Sequence, residues 1–173
     1  LHILLDVSDS MFFETPPRAN AARQMAAALI AAAMNQHNAA TVYPFGSETL
    51  PSHRCATGRG GLMRALEFLE GLGPAGPTDL SSAARRLARM SPRPGLAAVI
   101  SDFFDPAGIA AVVASLRTLR HRLLLVQLTR PDDADPLAAG LLRLIDCESD
   151  RDLDVTVTDR ALENYRSAYE QFQ

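Results

Sequence analysis

Two short acidic stretches hold the residue types best suited to chemistry. Asp6-Val7-Ser8-Asp9-Ser10-Met11 follows the apolar run that opens the chain, and Ser101-Asp102, with Asp105 shortly after, follows a second apolar run. Between them in sequence, Thr78-Asp79 comes directly after the breaker run Gly73-Pro74-Ala75-Gly76-Pro77. The carboxylates of Asp6 and Asp102 and the hydroxyls of Ser8, Ser10 and Thr78 are hard oxygen donors. That set suits Mg²⁺, Mn²⁺ or Ca²⁺ rather than zinc or copper. Each signal alone is ordinary: a Thr-Asp pair before a helix is usually an N-cap, and an Asp at a strand end is often a turn residue. Their joint occurrence, with two acids at strand ends and a hydroxyl at a helix start, is far more specific.

Such residues converge only if particular elements carry them. Residues 2–6, 41–45, 96–101 and 122–128 are short runs that are apolar throughout, the pattern of strands covered on both faces. Helical spacing of apolar residues fills the intervals: 18–35 with Met25, Leu29 and Ile30, 61–71 with Leu62, Leu66 and Leu69, 79–90 with Leu80, Leu87 and Met90, and 106–119 with Ile109, Val112, Val113 and Leu116. Pro16 and Pro17 mark the start of the first long helix. The alternation predicts a doubly wound α/β domain, a mostly parallel Rossmann-like sheet with helices on both faces and strand 2–6 innermost. In such a sheet ligands bind outside the carboxyl ends of the strands, where Asp6 and Asp102 fall. At the end of the chain, 141–147 and 153–158 read as a hairpin around a polar turn. A last helix follows with Leu162, Tyr165, Tyr169 and Phe172 on one stripe, so 141–173 is expected to form a capping hairpin and a docked helix of a single domain spanning 1–173. Leu1 opens directly into a strand, which is expected of a fragment lacking an upstream segment, a membrane anchor among the possibilities.

Composition narrows the function. The net charge is −3 and hydrophobic residues make up 47% of the chain. The pI near 5.8 argues against nucleic acid as a partner. No apolar run reaches the roughly 20 residues of a membrane span. All 17 residues of the Lys+Arg total are Arg. The absence of lysine excludes P-loop NTPases, protein kinases, Schiff-base enzymes and Ser-Lys hydrolases, and also receiver domains and haloacid-dehalogenase phosphatases. Cys55 and Cys147 are too few for a disulfide framework or a cysteine zinc site and are expected to be buried, reduced thiols in a cytoplasmic protein.

Asp6-x-Ser8-x-Ser10, then Thr78, then Asp102 resembles the metal-ion-dependent adhesion site of von Willebrand factor A-type domains, in order, spacing and strand placement. Met11, Thr78-Asp79-Leu80, Ser101-Asp102-Phe103 and Asp146-Cys147-Glu148-Ser149 resemble one bacterial branch, the domain-of-unknown-function family fifty-eight, often encoded beside a MoxR-type AAA+ ATPase. The sequence departs from that branch in Asp150, where glycine is usual, and in Asn35-Gln36-His37-Asn38, where a Gly-Asp turn commonly precedes the second strand. The resemblance implies a non-enzymatic, metal-dependent protein-binding module. Ser8, Ser10 and Thr78 would bind the ion, Mg²⁺ first, with Asp6 and Asp102 one water away. A Glu or Asp of a protein partner would complete the shell, and a MoxR-type ATPase would be a natural associate.

Two other readings stand beside it: a Mg²⁺- or Mn²⁺-dependent phosphoester hydrolase built on the same acids, and a scaffold whose site holds no metal. Hydrolysis needs a base. His2, His37 and His121 fall on the opposite edge of such a sheet, and only His53 can approach from a loop; Asp9 is expected to support the loop. Arg85, Arg86 and Arg89, and Arg117, Arg120 and Arg122, form two basic clusters that are expected to be solvated faces.

Overall fold

The computed structural model describes residues 1–48, 50–90, 93–136, 140–148 and 151–172. The chain divides into two compact units, Leu1–Leu128 and Thr129–Gln173.

The first unit is built on a five-stranded sheet. In chain order its elements are β1 (His2–Asp6), α1 (Ser10–Phe13), α2 (Arg18–Asn35), β2 (Ala40–Phe45), β3 (His53–Cys55), α3 (Arg59–Glu70), α4 (Leu80–Met90), β4 (Leu96–Ser101), α5 (Ile109–Leu116) and β5 (Arg122–Gln127). The strand order is β3-β2-β1-β4-β5, parallel except for β3. β1 is central, as expected. The chain leaves β1 toward β2 on one side and returns to β4 on the other, which creates a topological switch point between β1 and β4.

Alternate residues of β1 serve opposite faces. Ile3, Leu5 and Val7 join a core with Ala19, Ala22, Ala26 and Ile30 of α2 and Ala65 and Leu69 of α3. Leu4 faces the other way, where α4 and α5 pack. The i, i+3, i+4 spacing of buried alanines on α2 removes side-chain bulk and lets that helix lie close on the sheet. Each fully buried Leu or Ile contributes about 1.5–3 kcal/mol. Pro44 sits inside β2 without harm because β3 pairs only with Ala40–Val42, leaving β2 an open edge beyond them. α2 ends in a Schellman turn, with Asn38 N–H donating to Ala33 O at 2.8 Å and His37 N–H to Met34 O at 3.0 Å. His37 takes the left-handed φ of 59° that glycine usually supplies.

β5 differs from expectation. Leu123, Leu124 and Leu125 are 39%, 37% and 53% exposed, so this run is not covered on both faces. In its sheet β5 is an edge strand with β4 alone as neighbour. Nor are both cysteines buried: Cys55 is, while Cys147 is exposed.

The second unit holds α6 (Pro131–Ala134), the antiparallel pair β6 (Gly140–Ile145) and β7 (Asp152–Val157), and α7 (Asp159–Phe172). Tyr165 donates its hydroxyl to Asp133 O at 2.6 Å, and Arg166 pairs with Asp135. On the aromatic stripe Tyr169 is buried and stacks near Tyr165, with ring centroids 6.2 Å apart. Ser149 and Asp150 lie outside the described residues. Among the described residues no helix is long and apolar enough to cross a membrane.

The loop that carries Thr78 is fitted against the end of β2. A Cβ on Gly46 would meet Ala75 O at 2.2 Å, whereas one on Gly73 would meet nothing within 4 Å. Gly46→Ala is therefore expected to destabilise by roughly 1–3 kcal/mol, as overpacking against backbone does. Gly73→Ala should be neutral or slightly stabilising. Urea denaturation of the two variants checks this, and equal midpoints would contradict the close approach.

Candidate metal site

The site is assembled where β1 and β4 end. Their register pairs Leu5 with Ile100, so one step further Asp6 lies beside Ser101. The Ser101 hydroxyl donates to Asp6 Oδ2 at 2.5 Å, and Ser8 N–H donates to Asp6 Oδ1 at 2.9 Å. Both oxygens of a fully buried carboxylate are thereby oriented. The Ser8 and Ser10 hydroxyl oxygens lie 3.1 Å apart. Asp102 follows Ser101 and is 2% exposed; its Oδ1 accepts from Phe104 N–H at 3.0 Å. The backbone turns sharply there, with buried Phe103 at φ 65°, a conformation costing a non-glycine residue about 1–2 kcal/mol. Phe103 N–H in turn donates to Ser101 Oγ at 2.9 Å.

Thr78 is 5% exposed. Its loop is fastened on both sides. Upstream, Gly76 N–H donates to Asp9 Oδ1 and Asp9 N–H to Gly76 O, both at 3.0 Å, while Ala75 N–H donates to Val7 O at 2.9 Å. Downstream, Leu80 N–H donates to Asp105 Oδ2 at 3.0 Å, and Asp79 caps α4 through Ser82 N–H at 2.8 Å. Asp9 and Asp105 are thus struts satisfied by amides. Asp6, Ser8 and Ser10 are joined directly by hydrogen bonds. Asp102 follows Ser101, which bonds to Asp6, and Thr78 stands on the fastened loop.

Two residues of the site have no role assigned from sequence. Ser101, noted there only as the neighbour of Asp102, anchors Asp6; its signal is its place one step before a strand-end acid. Arg18 donates from Nη1 to Asp102 Oδ2 at 2.9 Å and pairs with Glu14 at 3.2 Å. Its signal is a basic residue in the first turn of α2, where the helix dipole disfavours a cation. The histidines lie elsewhere. His53, the one histidine that a loop could have brought near the site, is in β3, stacked on Phe68 of α3 with centroids 4.6 Å apart. His2 and His121 meet at 4.7 Å at the amino-terminal ends of the strands.

Burial raises the Asp6 carboxyl to about 7, and the charge of Asp102 adds to the rise, while hydrogen bonds from Ser101 and Ser8 oppose it. A carboxylate so placed gains from a nearby cation. The donor set fits a small hard one. Two ligand oxygens at right angles on an ion with bonds of about 2.1 Å stand about 3.0 Å apart, close to the 3.1 Å between Ser8 and Ser10. Among the described residues no group of three or more His, Cys, Asp or Glu could hold a metal. A cation here would therefore rest on hydroxyls and two acids.

The raised Asp6 carboxyl carries a pH signature. In chelator, between pH about 4 and 7, the folded chain keeps a proton on Asp6 that the unfolded chain releases. Stability from this group therefore falls as pH rises, by at most about 1.4 kcal/mol per pH unit. Asp6→Asn removes the titration. Urea curves across that range should show wild type losing stability relative to D6N, and a constant difference would contradict it.

Solved structures share this fold, two of them from Bacteroides species. An aerotolerance-related membrane protein from Bacteroides fragilis, with multiple mutations to serines, is 18% identical, with the match covering 96% of this chain and 85% of that one at a TM-score of 0.61. The conserved hypothetical protein BatB from Bacteroides thetaiotaomicron is 14% identical, with 98% and 85% covered and a TM-score of 0.56. At those identities the likeness is one of fold. No curated protein matches the sequence. One family model matches residues 1–173, and the chain belongs to that family, described as Protein of unknown function DUF58.

Proposed function

We propose that the chain is a metal-ion-dependent protein-binding module with an adhesion site of the von Willebrand factor A type. Asp6, Ser8, Ser10, Thr78 and Asp102 would hold a divalent ion, Mg²⁺ foremost, with Mn²⁺ or Ca²⁺ as substitutes. The observation that carries this reading is the Ser8–Ser10 hydroxyl pair, 3.1 Å apart beside the buried, doubly hydrogen-bonded Asp6.

A bound ion would supply a positive centre with an open position for a carboxylate oxygen. The residues favour that use. Hydroxyl ligands are neutral and leave the charge of a cation largely undiminished. Asp6 and Asp102, each accepting from a backbone amide, would orient water in its shell. At the same edge of the sheet Phe13 is 75% exposed and Phe104 43%, and they offer apolar contact around the centre. The histidines' distance from this edge supports binding over hydrolysis. Family association makes a MoxR-type AAA+ ATPase the proposed associate, in assembly or remodelling of other proteins on the cytoplasmic side.

Ion at a hundredfold excess over its Kd adds about 2.7 kcal/mol to folding stability. In a domain of this size that raises Tm by roughly 5–10 °C. Ser10→Ala should melt near wild type in chelator and lose most of the rise; Thr78→Ala, at a buried position, should melt lower in chelator by the cost of one lost buried polar group and also lose most of the rise. Capture of a MoxR-type ATPase should need the ion and fail equally in chelator and in S10A. If Mg²⁺, Mn²⁺ and Ca²⁺ at millimolar concentration all leave the wild-type melting curve unmoved, the metal reading is wrong. Ion-dependent turnover of a generic phosphoester that D6A abolishes would replace binding by hydrolysis.

A further inference from the structure

Arg18 occupies a position that the proposed binding role does not use. Its side chain is 10% exposed, and it meets Asp102, 2% exposed, in a buried ion pair. The guanidinium is held from two directions. Nη1 lies 2.9 Å from Asp102 Oδ2, while Nε and Nη2 lie 3.2 and 3.3 Å from the two Glu14 oxygens. It stands in the first turn of an 18-residue helix, against the helix dipole. A cation kept in such a place has a counter-charge that holds it there, and here the nearer carboxylate belongs to the candidate metal set.

Resting on the metal reading, we infer that Arg18 is an internal cation that competes with the divalent ion for Asp102 and so sets the ion affinity of the site. The guanidinium already takes Oδ2, and Phe104 N–H takes Oδ1. An ion near Ser8 and Ser10 draws on the same carboxylate and repels the same guanidinium. Arg18 therefore weakens ion binding, and by linkage the ion weakens the Arg18–Asp102 pair by the same factor. Glu14 is the second acceptor onto which a loosened Arg18 can shift. Glu14 directly follows exposed Phe13, so ion occupancy is coupled to the segment between α1 and α2 that borders the partner-facing edge.

Titrate Mn²⁺ and Mg²⁺ calorimetrically into wild type, Arg18→Gln and Arg18→Lys, and record melting curves with and without chelator. R18Q should bind either ion about tenfold more tightly than wild type. It should melt lower than wild type in chelator, because Asp102 loses its partner, and gain more in Tm from added ion. R18K, which keeps the charge but loses the planar fork, should fall between; it also carries the test if R18Q does not fold. R18Q binding with wild-type affinity or weaker overturns the inference and leaves the metal reading intact, since Arg18 would then only position Asp102. No ion binding in wild type and variants alike removes the metal reading, and the inference with it.

Discussion

Ser101 donates its hydroxyl to Asp6 across the junction of β1 and β4, and this bond joins the two strands whose ends carry both acids of the candidate set. It exists because the strands are parallel neighbours in register, so both end at the same level. It matters because Asp6 is fully buried and a carboxylate removed from water must be satisfied from within. Ser101 and the amide of Ser8 meet both oxygens of Asp6, and the same serine accepts from Phe103 N–H, shaping the turn that presents Asp102. One hydroxyl thus couples the conformation of one acid to the direction of the other.

The rest of the first unit holds that junction still. Asp9 ties the β1 loop to Gly76, and Asp105 ties the β4 loop to the start of α4, so three separate loops are braced by side chain to backbone bonds. Beneath them, alanines on α2 permit a close helix, and Leu5, Val7 and Ile100 fill the interface. Acids that by count look like a crowd of charges are in fact divided. Asp6 and Asp102 are buried at the strand ends, while Asp9 and Asp105 serve as braces. Arg18 then supplies a positive charge where two buried acids would otherwise stand side by side.

Much of this is legible in the sequence, for physical reasons. Continuous apolar runs are required of strands covered on both faces, which locates β1, β2 and β4, and parallel sheets open their sites at carboxyl ends, which locates Asp6 and Asp102. What is not legible depends on distance or shortness. The Arg18–Asp102 pair spans 84 residues, and only the dipole argument at the α2 start could raise it. β3 is three residues long and includes His and Arg, so it shows no apolar run; His53 reads as a loop residue, yet it lies in a strand against Phe68. β5 reads like a central strand because the apolar pattern does not encode strand order; its leucines are exposed at the sheet edge.

If these side chains surround a place for a small hard cation, anomalous diffraction from crystals equilibrated with saturating Mn²⁺ shows it most directly. The expected result is a single strong peak at the end of β1, within about 2.0–2.3 Å of both the Ser8 and Ser10 hydroxyl oxygens, with Asp6 and Asp102 reached through ordered water. Density absent from that position, or found only on surface carboxylates elsewhere, would contradict it.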